Sequence, residues 1–147
     1  MSVTMNDGII CPTYDELDGI LSKIFTVYML VVPNGKRYVG MTRQNLQYRF
    51  GNGTGWAHNK QLTSDIREYG WDNIERIVCC ENLTLDEACV LETELIREFN
   101  TTNPENGYNR TAGGDYFRDS RKLIPEQEQM NDIIRDAISK LANLIQK

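Results

Sequence analysis

The feature that most constrains the fold is the stretch VYMLVVPNGKRYVG at residues 27–40, which has the pattern of two strands joined by a tight turn. Pro33 is preset for the first position of a type I turn, and Gly35 can adopt the left-handed conformation that ends it. Pro33, Asn34 and Gly35 together therefore predict a three-residue hairpin loop with a glycine bulge. Asn34 and Gly35 alone could instead form a two-residue turn, which would shift the pairing of the strands.

The three-residue loop fixes the positions of two tyrosines. It pairs Leu30 with Tyr38 and Tyr28 with Gly40, whereas the two-residue turn would place the tyrosines on opposite faces of the sheet. In the predicted register both phenols lie on one face as diagonal neighbours, and Gly40 leaves an open spot opposite Tyr28. We therefore expect a gap between the phenols that could receive a substrate. The alternative is an aromatic pair packed on a half-buried sheet.

Composition limits the class of protein. A chain of 147 residues is expected to form one domain with a modest core. Its net charge of -5 argues against a strongly basic nucleic-acid binder. The cysteines show no CxxC spacing, so we expect reduced thiols in a cytoplasmic protein. We expect no membrane association, because no apolar run is long enough to cross a bilayer and no charged-then-apolar leader follows Met1.

Turn and capping signals divide the rest of the chain into short elements. They predict a short N-terminal helix opened by the capping box of Thr13 and Glu16, a helix over 45–50 after a Thr42 cap, a helix over 61–69 closed by Gly70, a third strand over 74–80, a helix from the Thr84–Glu87 capping box to Phe99, and an amphipathic helix over 125–146. The last helix could pack on the core, form a dimer or bind a partner.

Glu92 is the most informative polar residue, because it falls inside the apolar stripe of the helix that ends at Phe99. The stripe follows three-and-four spacing and consists of Ala88, Leu91, Leu95, Ile96 and Phe99. A carboxylate on a buried face is costly unless it is paired or binds a metal. The alternative to a metal ligand is an ion pair with an arginine that holds this helix to the hairpin.

Three further residues could carry chemistry. Arg49 has a planar, permanently charged side chain that suits a phosphate, although a structural salt bridge would use it equally well. His58 is the only histidine, so any imidazole-based proton transfer depends on it; a lone histidine is more often solvated or structural. Asn109 follows Gly107 and Tyr108 at a bend, where its amide could brace a loop or bond to its own backbone.

In this order the residues resemble the GIY-YIG endonuclease family. The matching segments are Thr26-Val27-Tyr28, Tyr38-Val39-Gly40, Thr42 with Leu46 and Arg49, Tyr69–Ile74, Leu91–Ile96 and Gly107-Tyr108-Asn109. Thr26 stands where the family has glycine, and His58 lies nine residues beyond Arg49, further than is common. The resemblance covers residues 25–114 as a nuclease domain, and leaves 1–24 as an N-terminal helical extension and 115–147 as a C-terminal amphipathic helix.

The resemblance implies an α+β fold, in which a small three-stranded antiparallel sheet is flanked by helices, with extra N- and C-terminal helices. It also implies a metal-dependent endonuclease that hydrolyses phosphodiester bonds in DNA. The implied catalytic residues are Tyr28, Tyr38, Arg49, His58, Glu92 and Asn109. Glu92 would hold Mg²⁺ or Mn²⁺, Arg49 would stabilise the transition state, and Tyr28 would orient or deprotonate the water with help from Tyr38 or His58. Asn109 would hold its loop near the helix that carries Glu92.

The competing hypothesis is a non-catalytic module of the same fold that binds nucleic acid or protein. The acidic chain is in tension with a DNA substrate, although residues 26–78 contain seven Lys or Arg and four Asp or Glu, a net charge of +3 by subtraction. One face could therefore be mildly basic. Family nucleases commonly gain affinity from an attached domain or partner, so the C-terminal helix could recruit a partner protein or form a homodimer.

Overall fold

Three antiparallel strands form the centre of the molecule. The computed structural model describes residues 23–113 and 127–145, so the helix predicted from Thr13 lies outside the described residues. The strands are β1 (Phe25–Val31), β2 (Arg37–Thr42) and β3 (Glu75–Leu83), in the order β2-β1-β3. Strand β1 is therefore central and β2 lies at an edge. The predicted α+β class and three-stranded antiparallel sheet are confirmed.

The hairpin between β1 and β2 has the predicted three-residue loop. Tyr28 pairs with Gly40 in the register that this loop requires. The loop is closed by the Val32 amide, which donates to the Lys36 carbonyl at 2.9 Å. Gly35 has a φ of 90°, a conformation that glycine adopts without steric cost. Local turn chemistry thus sets the register of the whole hairpin.

Besides a 3-10 helix at Trp71–Asn73 ahead of β3, four α-helices surround the sheet in the described part of the chain. They are α1 (Leu46–Phe50), α2 (Lys60–Tyr69), α3 (Leu85–Phe99) and α4 (Gln127–Ile145). None of the helices in these ranges combines the length and the apolar character needed to cross a bilayer.

The helix caps agree with the sequence in two cases out of three. Thr84 and Glu87 form the predicted capping box of α3, and Gly70 ends α2 as expected. The predicted Thr42 cap of α1 is wrong. The Asn45 side chain accepts from the Gln47 and Tyr48 amides in the first turn of α1, while the Thr42 hydroxyl accepts from the Gln44 amide just ahead of the helix. Asparagine directly before the first helical residue is favoured because its oxygen reaches the free amides.

The two faces of the sheet contact different helical layers. Side chains alternate along β1, so Val27 and Met29 pack with α3 and α4, whereas Tyr28 and Leu30 pack with Trp56 and α2. The hairpin register places Tyr38 on the same face as Tyr28. The tyrosines therefore belong to the aromatic layer beneath α1 and α2, and not to the aliphatic layer beneath α3.

The C-terminal helix α4 packs on the core, which is one of the three roles that its pattern allowed. Met130, Ala137 and Leu141 are buried in the same cluster as β1 and α3. The Lys140 ammonium contacts the Val78 carbonyl of β3. Helix α4 thus covers apolar surface that β3 and α3 would otherwise expose to water.

Truncation of Leu141 should destabilise the whole protein. Its side chain is fully buried, so Leu141→Ala should lower the free energy of unfolding by about 2–5 kcal/mol through lost burial and the cavity left behind. Urea denaturation measures this change. Leu144→Ala, at a half-buried position of the same helix, serves as the control and should cost less. Equal and negligible costs for both variants would contradict the packing of α4 on the core.

The described cysteines have the properties expected of reduced thiols. Cys79, Cys80 and Cys89 form no disulfide, and the first and last of them are buried. Burial raises the pKa of the Cys79 thiol to about 12, so it stays protonated and unreactive near neutral pH.

Candidate active site

A cleft of about 350 Å³ opens beside the edge strand β2. Four of the six predicted site residues line it, and they come from separate parts of the chain: Tyr38 on β2, His58 ahead of α2, Glu92 on α3 and Asn109 in the loop after α3. Tyr28 and Arg49 are not among the lining residues. The Tyr28 ring lies beside that of Tyr38, and the Arg49 guanidinium stacks on Trp56. The fold therefore gathers residues that are up to 71 positions apart in the sequence, from Tyr38 to Asn109.

Asn109 attaches its loop to the outer edge of β2. Its side-chain oxygen accepts from the Val39 amide at 2.9 Å, and its amide nitrogen donates to the Val39 carbonyl at 2.8 Å. Beside it, the Arg37 amide donates to the Asn106 carbonyl, and the Tyr108 amide donates to the Arg37 carbonyl. The loop thereby satisfies an edge strand whose backbone groups would otherwise remain open to a foreign strand. The bonding partner of the amide is the strand, and not its own turn.

Removal of this amide should loosen the edge of the sheet. Asn109→Ala leaves the buried amide and carbonyl of Val39 without these partners, so we expect a loss of about 1–3 kcal/mol in the free energy of unfolding. Urea denaturation measures it. Asn52→Ala is the control, because Asn52 is exposed and bonds to the Thr54 hydroxyl next to it. The role assigned to Asn109 would be contradicted if both variants cost the same.

Glu92 lies at the boundary between the core and the cleft. Its neighbours Leu91 and Leu95 are completely buried, while Glu92 itself is half-buried and faces the cleft. The loop passes close by, since a methyl group placed on Gly113 would lie 3.3 Å from a carboxylate oxygen of Glu92. The carboxylate thus lies at the edge of the buried stripe, and not inside it as the helical spacing predicted.

The donor set of the cleft fits a divalent ion shared with a phosphate. Within the described ranges, no group of three or more His, Cys, Asp or Glu side chains converges as a protein-only metal cage would require. Mg²⁺, however, is commonly held by one or two carboxylates, and waters and substrate phosphates complete its shell. Glu92 is the acidic side chain that lines the cleft, so it is the residue suited to this arrangement.

The gap expected between the two phenols is absent. The Tyr28 ring occupies the space over Gly40, where a methyl group would lie 2.5 Å from both its Cζ atom and its hydroxyl oxygen. Tyr28 is 1% exposed, and its ring centroid lies 6.4 Å from that of Tyr38. The expectation failed because a glycine on the edge strand makes room for a neighbouring ring as readily as for a ligand. The alternative, an aromatic pair on the sheet, describes the observed packing.

The environment of the Tyr28 hydroxyl keeps it protonated. Burial is the largest influence and raises its pKa above the ordinary value of a phenol. The nearby Arg49 guanidinium and a hydrogen bond from the Trp56 indole, at 3.1 Å, lower that pKa by less. The Glu92 carboxylate raises it slightly. Arg49 and Glu92 are thus close enough for their charges to act on one hydroxyl.

Trp56 forms a wall behind the cleft that the sequence analysis did not identify. The ring is completely buried and contacts the rings of Tyr28, Tyr38, Phe50 and Trp71, with centroids 5.6–6.5 Å away. The only signal in the sequence is a large aromatic residue directly after a polar, glycine-rich loop. Such a residue is as compatible with a surface loop as with a core, so the local pattern could not assign it.

The glycines before Trp56 make room for the side chains of neighbouring elements. A methyl group on Gly53 would lie 2.7 Å from the Trp71 ring, and one on Gly55 would lie 2.5 Å from an Arg49 guanidinium nitrogen. Arg49 donates to the Gly55 carbonyl at 3.0 Å and stacks 4.5 Å above the Trp56 ring. The guanidinium is therefore held in place beside the Tyr28 hydroxyl.

Two further residues of the cleft were also missed. Arg110 donates to the His58 carbonyl at 3.0 Å, which ties the exposed His58 to the loop after α3. Asn59 is buried, accepts from the Leu62 amide as the cap of α2, and donates to the Tyr108 carbonyl at 2.7 Å. Both bonds join segments about 50 residues apart, so no local pattern could reveal them.

Comparison with known proteins gives one family. A family model described as the GIY-YIG catalytic domain matches residues 24–109, a range that contains all six predicted site residues. No curated protein and no solved structure gives a significant match to the chain.

Proposed function

Because the chain belongs to the GIY-YIG catalytic-domain family, we propose that it is a metal-dependent endonuclease that hydrolyses phosphodiester bonds in DNA. The observation that carries the proposal is the cleft beside β2, where Tyr38, His58, Glu92 and Asn109 meet. A module that only binds nucleic acid has little use for a half-buried carboxylate facing such a cleft, because like charges repel and a phosphate is negative too.

We propose that Glu92 holds the divalent ion, Mg²⁺ or Mn²⁺. When bound, the ion would neutralise charge on the scissile phosphate and on the leaving oxygen. Helix α3 fixes the position of the Glu92 carboxylate, because Leu91 and Leu95 on the same helix are completely buried in the core. Asn109 contributes by anchoring its loop to strand β2 through both hydrogen bonds to Val39.

Tyr38 and His58 are the groups best placed to handle the attacking water. Both line the cleft; Tyr38 is half-buried and His58 is exposed, so a proton taken from the water can pass on to solvent. Imidazole accepts protons near neutral pH, whereas a phenol at that pH serves mainly as a hydrogen-bond partner. We therefore assign the base to His58 and the orientation of the water to Tyr38. Buried Tyr28 supports Tyr38 from behind.

Arg49 supplies positive charge to the site. It acts on the Tyr28 hydroxyl, as Glu92 does, so a phosphate bound next to Glu92 would lie within the field of the guanidinium. Negative charge grows on the phosphate in the transition state, and a cation held in advance stabilises that charge without reorganising. Stacking on Trp56 and the bond to Gly55 hold the cation.

The described thiols without disulfides fit a cytoplasmic location.

Partners other than DNA would bind to α4. The buried apolar residues of α4 already pack inside the chain, so a second copy or a partner protein would contact the half-buried Ile134 and Ile138. Such a partner could supply the affinity for DNA that an acidic chain lacks.

A cleavage assay on several nucleic acids tests the proposal. Supercoiled plasmid should be nicked or linearised with Mg²⁺ or Mn²⁺ and should stay intact with EDTA. Single-stranded DNA and RNA in parallel reactions identify the substrate if duplex DNA is not cut. Absence of cleavage on all three by folded protein with either metal would contradict the nuclease assignment and favour the binding module.

A further inference from the structure

A second depression, of about 620 Å³, continues from the cleft and is lined by basic side chains. It shares Asn59, Asn109 and Arg110 with the cleft, and Lys36 and Lys60 add two more positive charges. No aspartate or glutamate is among its lining residues in the described part of the chain. We call this depression the basic groove and define it by Lys36, Lys60 and Arg110.

The contacts of the three cations hold them without neutralising them. The Lys36 ammonium lies 6.0 Å from the centroid of the Tyr108 ring, and the Arg110 guanidinium donates to the His58 carbonyl. Lys60 is exposed at the start of α2, where the helix dipole adds further positive potential. Among the described residues, none of the three forms an ion pair with a carboxylate.

Among the described residues, the Asp65 carboxylate bonds to the Tyr108 side of the groove and is already engaged. Asp65 on α2 is buried and accepts from the Tyr108 hydroxyl at 2.7 Å and from the Gln61 amide at 3.1 Å. Its bond to Tyr108 fixes the ring over which Lys36 lies. Asp65 therefore helps to build the groove from beneath, and it is not itself among the residues that line the groove.

Overall charge makes this groove distinctive. The chain carries 21 acidic and 16 basic residues, so its net charge of -5 repels a polyanion. A run of three cations without a lining acid, beside the proposed catalytic cleft, offers a path along which phosphates can approach. Lysine and arginine bind such phosphates through charge, which positions a strand without reading its sequence.

We propose that the basic groove binds the backbone phosphates of the DNA strand on one side of the scissile phosphate. The proposal rests on the nuclease function proposed above, and it adds the direction in which the strand leaves the cleft: from Asn109 and Arg110 towards Lys36 and Lys60.

The salt dependence of DNA binding tests the groove. The change is Lys36→Gln, Lys60→Gln and Arg110→Gln together, made in a Glu92→Gln background with EDTA so that no DNA is cut. Fluorescence anisotropy with a labelled duplex, at several salt concentrations, gives the slope of log affinity against log salt. The slope should become shallower by about one per cation removed, and affinity at ~0.1 M salt should fall at least about tenfold. Lys60→Gln alone should change the slope by about one.

A control with the same net charge isolates the groove. Arg97→Gln, Arg135→Gln and Lys140→Gln remove three cations from α3 and α4, on the other face of the sheet, and should leave the slope unchanged. An unchanged slope in the folded groove variant, or an equal change in the control, would overturn the proposal. Cleavage by the unmodified chain is scored separately. If the unmodified chain cuts DNA but the groove variant keeps the same slope, only the groove is rejected. If the groove variant has the shallower slope but the unmodified chain does not cut DNA, only the nuclease function is rejected.

Discussion

Replacement of Glu92 by glutamine should abolish metal-dependent cleavage while the protein stays folded. The change keeps the size of the side chain but removes the negative charge that would hold the divalent ion. Metal activation is worth several kcal/mol of transition-state stabilisation, and each ~1.4 kcal/mol is a factor of ten in rate. We therefore expect the single-turnover cleavage rate to fall by about 1,000-fold or more. Because Glu92 is half-buried at the cleft and outside the core, the melting temperature should change little.

A second glutamate on the same helix provides the control. Glu98 is exposed on α3, so Glu98→Gln removes the same charge from the same helix without touching the cleft. Its cleavage rate should stay close to that of the unmodified chain. If Glu92→Gln cut DNA as fast as Glu98→Gln, Glu92 would have no part in the reaction.

Truncation of Trp56 should produce the largest loss of stability. The ring is completely buried against four aromatic neighbours, and its indole donates to the Tyr28 hydroxyl. Trp56→Ala should cost about 3–5 kcal/mol, a large part of the ~5–15 kcal/mol that stabilises a typical domain. Cleavage should also fall, because the stacking surface of Arg49 and the support of Tyr38 are lost.

Two other aromatic substitutions separate the contributions of Trp56. Trp56→Phe keeps a ring but removes the donor to Tyr28, so urea denaturation should show a smaller loss of about 1–3 kcal/mol. Tyr48→Ala removes a ring that is 75% exposed and should change stability by less than about 0.5 kcal/mol. Similar losses for Trp56→Ala and Tyr48→Ala would contradict the buried position of Trp56 behind the cleft.

Local signals in the sequence predicted the three strands, the four α-helices of the described residues and the hairpin register correctly. Pro33 and Gly35 act within a few residues of each other, so their turn type follows from their own backbone preferences. The stripe of α3 follows from helical spacing, although the same spacing placed Glu92 inside the stripe and the structure has it half-buried at the edge. The Thr42 cap failed because two capping residues, Thr42 and Asn45, compete within one turn.

Contacts between distant segments could not be predicted from the sequence. The Asn109 amide pairs with Val39 across 70 positions, and the Trp56 indole reaches the Tyr28 hydroxyl across 28. Such contacts depend on how layers pack, which no local pattern specifies. The amphipathic pattern of α4 shows the same difficulty, since it predicts a buried face but does not say what buries it.

A titration with Mn²⁺ tests most directly whether the cleft uses a divalent ion held by Glu92. The ion would be added to the unmodified chain and to Glu92→Gln, each bound to a duplex with an uncleavable linkage, and binding followed by calorimetry. We predict that the unmodified complex binds a Mn²⁺ ion that the variant complex does not bind. Equal Mn²⁺ binding by the two complexes would contradict a metal site at Glu92 and, with it, the mechanism proposed for this cleft.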